Sequence, residues 1–295
     1  MEYNKRKGVL LMLLTSFCFS TQSAIGHLLE DIPPMEKTLF RNAVAVILIL
    51  LVIRKKRVPI RLTPGTLPLH LGRSLFGVLN ITLNFYAMDH MVLSDATILM
   101  ELSPFIIILL SAFLLREKAG LKIYGIVLMA FMGAALVAKP SGNILSQTGT
   151  LAALGAALFI GLAYFFVRFL NLKKEESSII ILFFSIFSCL FCLPSVLLHP
   201  VALTARHVGL LILMSLFAFC GQLTVTEAYH YAPASDISIL DYTQVIFSAV
   251  YGFLLFGQLS DRISYLGYVI ILSAAMLSFL HKKKQLAGAG NGVEQ

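Results

Sequence analysis

Five ionisable side chains stand inside long apolar stretches of this 295-residue chain: Arg41, Arg73, Glu101, Glu227 and Asp241. A charge in hydrocarbon costs several kcal/mol on most scales, so such residues are kept where they bind charged solutes or carry protons. Polar side chains at helical spacing accompany them. Arg73, Gly77, Asn80 and Asn84 follow steps of four, three and four, which sets them on one helix face. Ser16, Ser20, Ser23 and His27 repeat those steps in the first apolar run. Ser94, Thr97 and Glu101 line a third face ahead of Pro104. These faces cannot look at lipid, where their donors would go unpaired. They line a polar cavity or bond to a neighbouring helix. For Glu101 and Asp241 the two readings are a static pair with an intramembrane arginine and a cavity site for substrate or proton.

The elements that carry these residues follow from composition. The chain is 58% apolar and 13% charged, whereas a soluble domain carries about 25% charged residues. Disordered, collagen-like, disulfide-rich secreted and ordinary cytosolic classes are excluded. Apolar segments run over 8–29, 35–53, 66–89, 93–115, 120–138, 149–170, 177–199, 207–231, 235–256 and 262–280. Each matches the roughly 20 residues of a bilayer-crossing helix and lacks the two-residue alternation of a strand. The basic start Lys5-Arg6-Lys7 ahead of an apolar run imitates a cleavable leader. A matching segment in the second half makes it the first span instead. The four cysteines all lie in apolar runs and read as small buried hydrophobes; no cofactor or metal is expected.

A shift of 141 residues lays the chain on itself without a gap. Gly8 meets Gly149, Ser74-Leu75-Phe76 meets Ser215-Leu216-Phe217, and Ser94-Asp95 meets Ser235-Asp236. The expected units are residues 1–141 and 142–295, two five-helix repeats. Because five is odd, the second repeat must be inverted. With the N-terminus cytoplasmic, sixteen Lys and Arg residues fall inside, around Lys5–Lys7, Arg54–Arg61, Arg116–Lys122, Lys173–Lys174 and Lys282–Lys284. Only Lys37, Lys139, Arg206 and Arg262 fall outside. That bias places both termini in the cytoplasm of an inner-membrane protein. The net charge of +8 is therefore a topological signal and not a nucleic-acid footprint. The fold class expected is an all-α polytopic membrane protein, ten transmembrane helices in two inverted repeats.

The repeat sharpens the fourth and ninth helices. Ser94, Thr97 and Glu101 correspond to Ser235, Ser238 and Tyr242, with Asp241 and Gln244 beside them. Pro104 frees a backbone carbonyl near Glu101, and broken turns of this kind supply ligand contacts in transporters. In the first and sixth helices Ser23 corresponds to Tyr164, and His27 to Arg168. His27 reads equally as a packing residue and Arg168 as a side chain reaching the interface. The small residues Gly125, Gly133 and Ala134, with Ala274 and Ala275, read as close-packing positions.

The pattern resembles the drug/metabolite transporter superfamily, EamA type. The resembling stretches are Met35-Glu36 with Phe40-Arg41, Asn84-Phe85-Tyr86-Ala87-Met88, Leu93-Ser94-Asp95-Ala96, Leu102-Ser103-Pro104-Phe105 and Leu114-Leu115-Arg116-Glu117-Lys118. The resemblance implies a basket of helices 1–4 and 6–9 around a central cavity, with helices 5 and 10 peripheral. It also implies alternating-access movement of small, amino-acid-like solutes, commonly outward. Two positions depart from it: Gln258 stands where the family carries a glutamate, and Val245 stands where the repeat would place a proline. The expected protein is a secondary transporter of a small polar solute embedded in the bilayer, with proton coupling through Glu101 or Asp241. Its expected substrate-facing residues are Glu101, Asp241, Arg41, Arg73, Asn80, Asn84, Tyr242, Gln244, Ser23 and Tyr164. A membrane enzyme and a non-transporting receptor are the alternatives.

Overall fold

The computed structural model describes residues 4–114, 121–138, 147–232 and 237–290. Arg116, Lys118 and Lys139 of the charge count, Glu117 of the resemblance and Ser235-Asp236 of the repeat lie outside them. In chain order come α1 (Lys5–His27), α2 (Pro34–Lys56), α3 (Leu67–His90), α4 (Leu93–Met100), α5 (Ser103–Leu114) and α6 (Leu121–Ala138). Then follow α7 (Thr148–Leu172), α8 (Ser177–Leu198), α9 (Ala205–Tyr231), a 3₁₀ turn (Ser238–Tyr242), α10 (Thr243–Phe256) and α11 (Arg262–Gly290). Prolines open α2 and α3, in first turns where a missing N–H costs nothing.

These elements make ten spans, with α4 and α5 forming the fourth and the 3₁₀ turn and α10 the ninth. Eight are long and apolar enough to cross a bilayer on length and composition alone. The other two are α2 and α3. They fall short because α2 carries Glu36, Lys37 and Arg41 and α3 carries His70, Arg73, Asn80 and Asn84. These two helices are thus the ones that carry Arg41 and Arg73 into the membrane.

Contacts at the helix ends establish the inversion. His27 at the end of α1 bonds Gln258, and Gln258 bonds Leu93, just past the end of α3. At that same end, Gly149 at the start of α7 packs so tightly on His90 that an added Cβ would lie 3.0 Å from its carbonyl oxygen. So α7 begins where α1 finishes. Helix pairing obeys the same symmetry: α1 packs on α9 as α7 packs on α3, and α1 on α10 as α7 on α4 and α5. The pairs α2 with α8 and α6 with α11, and the fourth span with the ninth, are their own mates under this exchange. Gly133 and Gly267 bring α6 and α11 together, since a Cβ on Gly267 would lie 2.6 Å from the Gly133 carbonyl oxygen. Gly125, read as a similar contact, faces open space.

Both the fourth and ninth spans are interrupted. Glu101 caps α4, and Pro104 sits in the first turn of α5. The ninth span breaks at the corresponding place although Val245 replaces the proline. There the loosened carbonyls find hydroxyl donors. Ser16 Oγ on α1 reaches the carbonyl oxygens of Leu240 and Asp241 at 3.2 and 3.3 Å, Ser20 Oγ that of Gln244 at 2.8 Å, and Thr243 Oγ1 that of Leu240 at 2.6 Å. Buried carbonyls must be satisfied, so the serine face of α1 lets a proline-free helix break inside the membrane.

Candidate functional site

The breaks meet at the centre of the molecule. Tyr242 Oη donates to the backbone carbonyl of Glu101 at 3.1 Å. These residues are 141 positions apart, so the repeat joins its own equivalent positions at the pseudo-two-fold axis. Thr97 Oγ1 bonds Ser248 Oγ at 3.0 Å and clamps the fourth span to the ninth just beyond this point. With backbone and phenol tied in this way, the carboxylates of Glu101 and Asp241 fall within each other's electrostatic reach.

The guanidiniums gather separately. Arg41 of α2 feels the charge of Arg73 of α3. Neither makes an ion pair with Glu101 or Asp241, so a static arginine–carboxylate pair is not what the fold builds. Arginine acts on arginine and carboxylate on carboxylate in this cluster. Arg73 lies over the Phe184 ring, 4.2 Å from its centroid, in cation–π contact. Arg41 Nε, Arg73 Nε and Arg73 Nη1 are buried with no hydrogen-bond acceptor among the described residues. Gly77 makes room for this: a Cβ there would sit 2.2 Å from Arg73 Nη1 and 2.7 Å from Phe184 Cε2.

Tyr164 of α7 is the neighbour shared by both groups, within electrostatic reach of Arg41, Arg73, Glu101 and Asp241. Its side chain is nevertheless 49% exposed. That free surface, beside charges from four different elements, marks Tyr164 as the exposed member of the cluster.

The remaining sequence-predicted residues divide. Asn80 is buried and donates Nδ2 to the Ala156 carbonyl at 2.9 Å, bonding α3 to α7. One turn on, Asn84 keeps Oδ1 buried without a partner. Ser23 is buried on α1, and Gln244 offers its backbone carbonyl to Ser20. Glu227 is exposed on α9 and separate from the cluster.

Sequence reasoning missed a second polar assembly, at the end of the molecule where α1 finishes. Lys37, read there as an outward basic residue, is fully buried. Its Nζ contacts both Asp89 carboxylate oxygens at 2.7 Å and the Gly26 carbonyl at 2.9 Å, binding α1, α2 and α3 together. Asp95 in the first turn of α4 is held by Ser260, Ser264 and Tyr268, on the favourable side of the α4 dipole. Gly257, in the left-handed region at φ 63, ends α10 and turns the chain so that Gln258 meets α4. Gln258 Oε1 accepts the Leu93 N–H at 3.1 Å, and its Nε2 lies 2.9 Å from His27 Nε2.

That geometry fixes hydrogen positions. The Leu93 N–H demands the amide oxygen, so the amide nitrogen donates to His27 Nε2, which must be unprotonated. Gln258→Glu reverses the second bond, because a carboxylate there accepts from His27. In Gln258→Glu the His27 imidazole should move its proton onto Nε2 with the fold unchanged. Nitrogen chemical shifts of ¹⁵N-labelled histidine would report the change, and an unaltered Nε2 signal would refute it.

At the opposite end Glu175, between α7 and α8, accepts from the Thr63 N–H at 3.1 Å and Thr66 Oγ1 at 3.0 Å and faces His70 at 3.6 Å. Burial pushes its carboxyl up, but these donors together outweigh that and hold it below the ordinary glutamate value.

Comparison with known proteins bears on this arrangement. The model of the EamA-like transporter family matches residues 6–139 and again 147–280. The pseudopaline exporter CntI of Pseudomonas aeruginosa is 30% identical over 280 residues, covering 94% of this chain and 98% of that protein. The riboflavin transporter of Vibrio cholerae is 24% identical over 292 residues, with 96% of each chain covered. A crystal structure shares the fold with a TM-score of 0.64 at 16% identity, over 96% of this chain and 99% of that one. Two matches spanning nearly the whole chain, each over five spans, make this a multi-pass membrane transporter and not an enzyme: the chain belongs to the EamA-like transporter family.

Proposed function

We propose that the protein is a secondary-active exporter of a small polar metabolite, working by alternating access in the inner membrane with both termini cytoplasmic. The carrying observation is the central cluster, where two arginines without an ion-pair partner and two carboxylates share Tyr164 as an electrostatic neighbour; the cavity that these residues line is part of this reading. Outward direction is supported by the similarity to the pseudopaline exporter, and orientation by the distribution of Lys and Arg. Arg41, Arg73 and Asn84 hold the solute, with Tyr164 and the Glu101–Asp241 pair facing it. Asn80, Ser23, Tyr242 and Gln244 hold the walls. No phosphate-binding glycine loop appears in the sequence, so the driving energy is a gradient. Glu101 and Asp241 then exchange protons as the cavity opens to one side and the other.

Proteoliposomes carrying a trapped pH-sensitive dye and challenged with an amino-acid mixture test this reading. Solute-dependent proton flux is expected in the wild type, with loss of about tenfold or more in Glu101→Gln and in Asp241→Asn. Equal flux in all three proteins would end the coupling role, and no flux in the wild type would end the exporter reading.

A further inference from the structure

The segregation of charge in the cavity says more than that the solute is polar. A buried guanidinium ordinarily carries a carboxylate, because an unpaired charge away from water is costly. Here two half-buried ones lie within electrostatic reach of each other, three of their nitrogens are buried with no acceptor among the described residues, and Glu101 and Asp241 act on each other without pairing with either arginine. Pairing them across the cavity would have neutralised both groups, but the fold keeps them apart. The arginine end is also shaped. Phe184 covers one face of the Arg73 guanidinium, and the absent side chain at Gly77 leaves Nη1 lying against the helix. A planar fork fixed in this way matches a carboxylate through two parallel N–H bonds.

We infer that Arg41 and Arg73 form the carboxylate-binding end of the cavity and Glu101 with Asp241 the ammonium-binding end. The substrate class is then an amino dicarboxylate, an amine carrying two carboxylates. Two guanidiniums call for two negative charges, and the acid pair calls for one positive group at the other end. A diamine leaves both arginines unpaired, a dicarboxylate without an amine meets the repulsion of the acids, and a single carboxylate satisfies one guanidinium only. This assignment rests on the exporter reading and adds which chemical group goes where.

The test is thermal unfolding of the purified full-length protein in detergent with glutamate, glutamine, glutarate or putrescine, each at 20 mM. Binding to the folded state alone raises the midpoint. Glutamate is expected to give the largest rise, glutamine and glutarate less, and putrescine none. Arg41→Gln and Arg73→Gln should each weaken the glutamate response by about 10- to 100-fold in half-effective concentration, as loss of charged hydrogen bonds does. Arg73→Lys, keeping charge without the fork, should fall between. Without ligand, both Gln variants should melt at or above the wild-type midpoint, because removing an unpaired charge relieves repulsion; a purely structural arginine would do the reverse. Absence of any glutamate-specific rise, or arginine variants that melt lower and still respond to glutamate, would overturn the assignment. A rise with putrescine alone, alongside proton flux in proteoliposomes, would overturn the substrate class while leaving the exporter reading standing.

Discussion

Lys37→Met should destabilise the folded protein by about 3–5 kcal/mol, the usual consequence of stripping one partner from a buried ion pair. Lys37 is 0% exposed, and its ammonium meets both oxygens of Asp89 as well as the Gly26 carbonyl. Removing it strips the largely buried Asp89 carboxylate of its ammonium and leaves the Gly26 carbonyl with only the Leu29 N–H, at 3.3 Å. The methionine side chain fills much the same space, so a cavity is not the cause. The double variant Lys37→Met/Asp89→Leu isolates the electrostatic part, since replacing both partners by apolar groups is often near neutral. Its melting midpoint in detergent should recover most of what Lys37→Met loses. If the double variant is as unstable as the single, the ammonium matters through its bond to Gly26 and not through Asp89.

That residue also shows where sequence legibility ends. A lysine four positions into a helix reads as an interfacial charge, because sequence gives depth along a helix axis and not what stands opposite. Depth was legible throughout: the ten spans, the 141-residue repeat and the fold's inversion all follow from hydropathy and parity. So was the placement of Arg41, Arg73, Glu101 and Asp241 within the spans. Whether an arginine stands beside a carboxylate or beside another arginine depends on how α2, α3 and the two broken helices are rotated about their axes, which hydropathy does not report. Likewise the steps of four, three and four marked Ser16 and Ser20 as a polar face, but the broken ninth span they serve lies more than 220 residues away. Gln258 was visible as a departure from the family; its two bonds, to Leu93 and His27, belong to a turn made possible by Gly257.

Gly77→Ala should cost transport at least about tenfold, in the range of one charged hydrogen bond, while leaving the protein folded. The methyl would arrive 2.2 Å from Arg73 Nη1 and 2.7 Å from the Phe184 ring. Something must move, and the easiest group is the free end of the arginine, because helix backbone and packed ring resist more. Helix propensity acts in the other direction: alanine is favoured over glycine in a helix interior by about 1 kcal/mol, which offsets strain. Stability and activity are thus expected to separate, with the melting midpoint near the wild type and flux strongly reduced. A loss of flux could also arise from a general disturbance of α3 against α8, and epistasis distinguishes the two. If the methyl acts by displacing the guanidinium, Gly77→Ala should add nothing once Arg73→Gln has removed it. An equal further loss in that background would show that the methyl works through the α3–α8 contact. The invisible side chain at position 77 would then be a packing device, and the arginine's orientation would owe nothing to it.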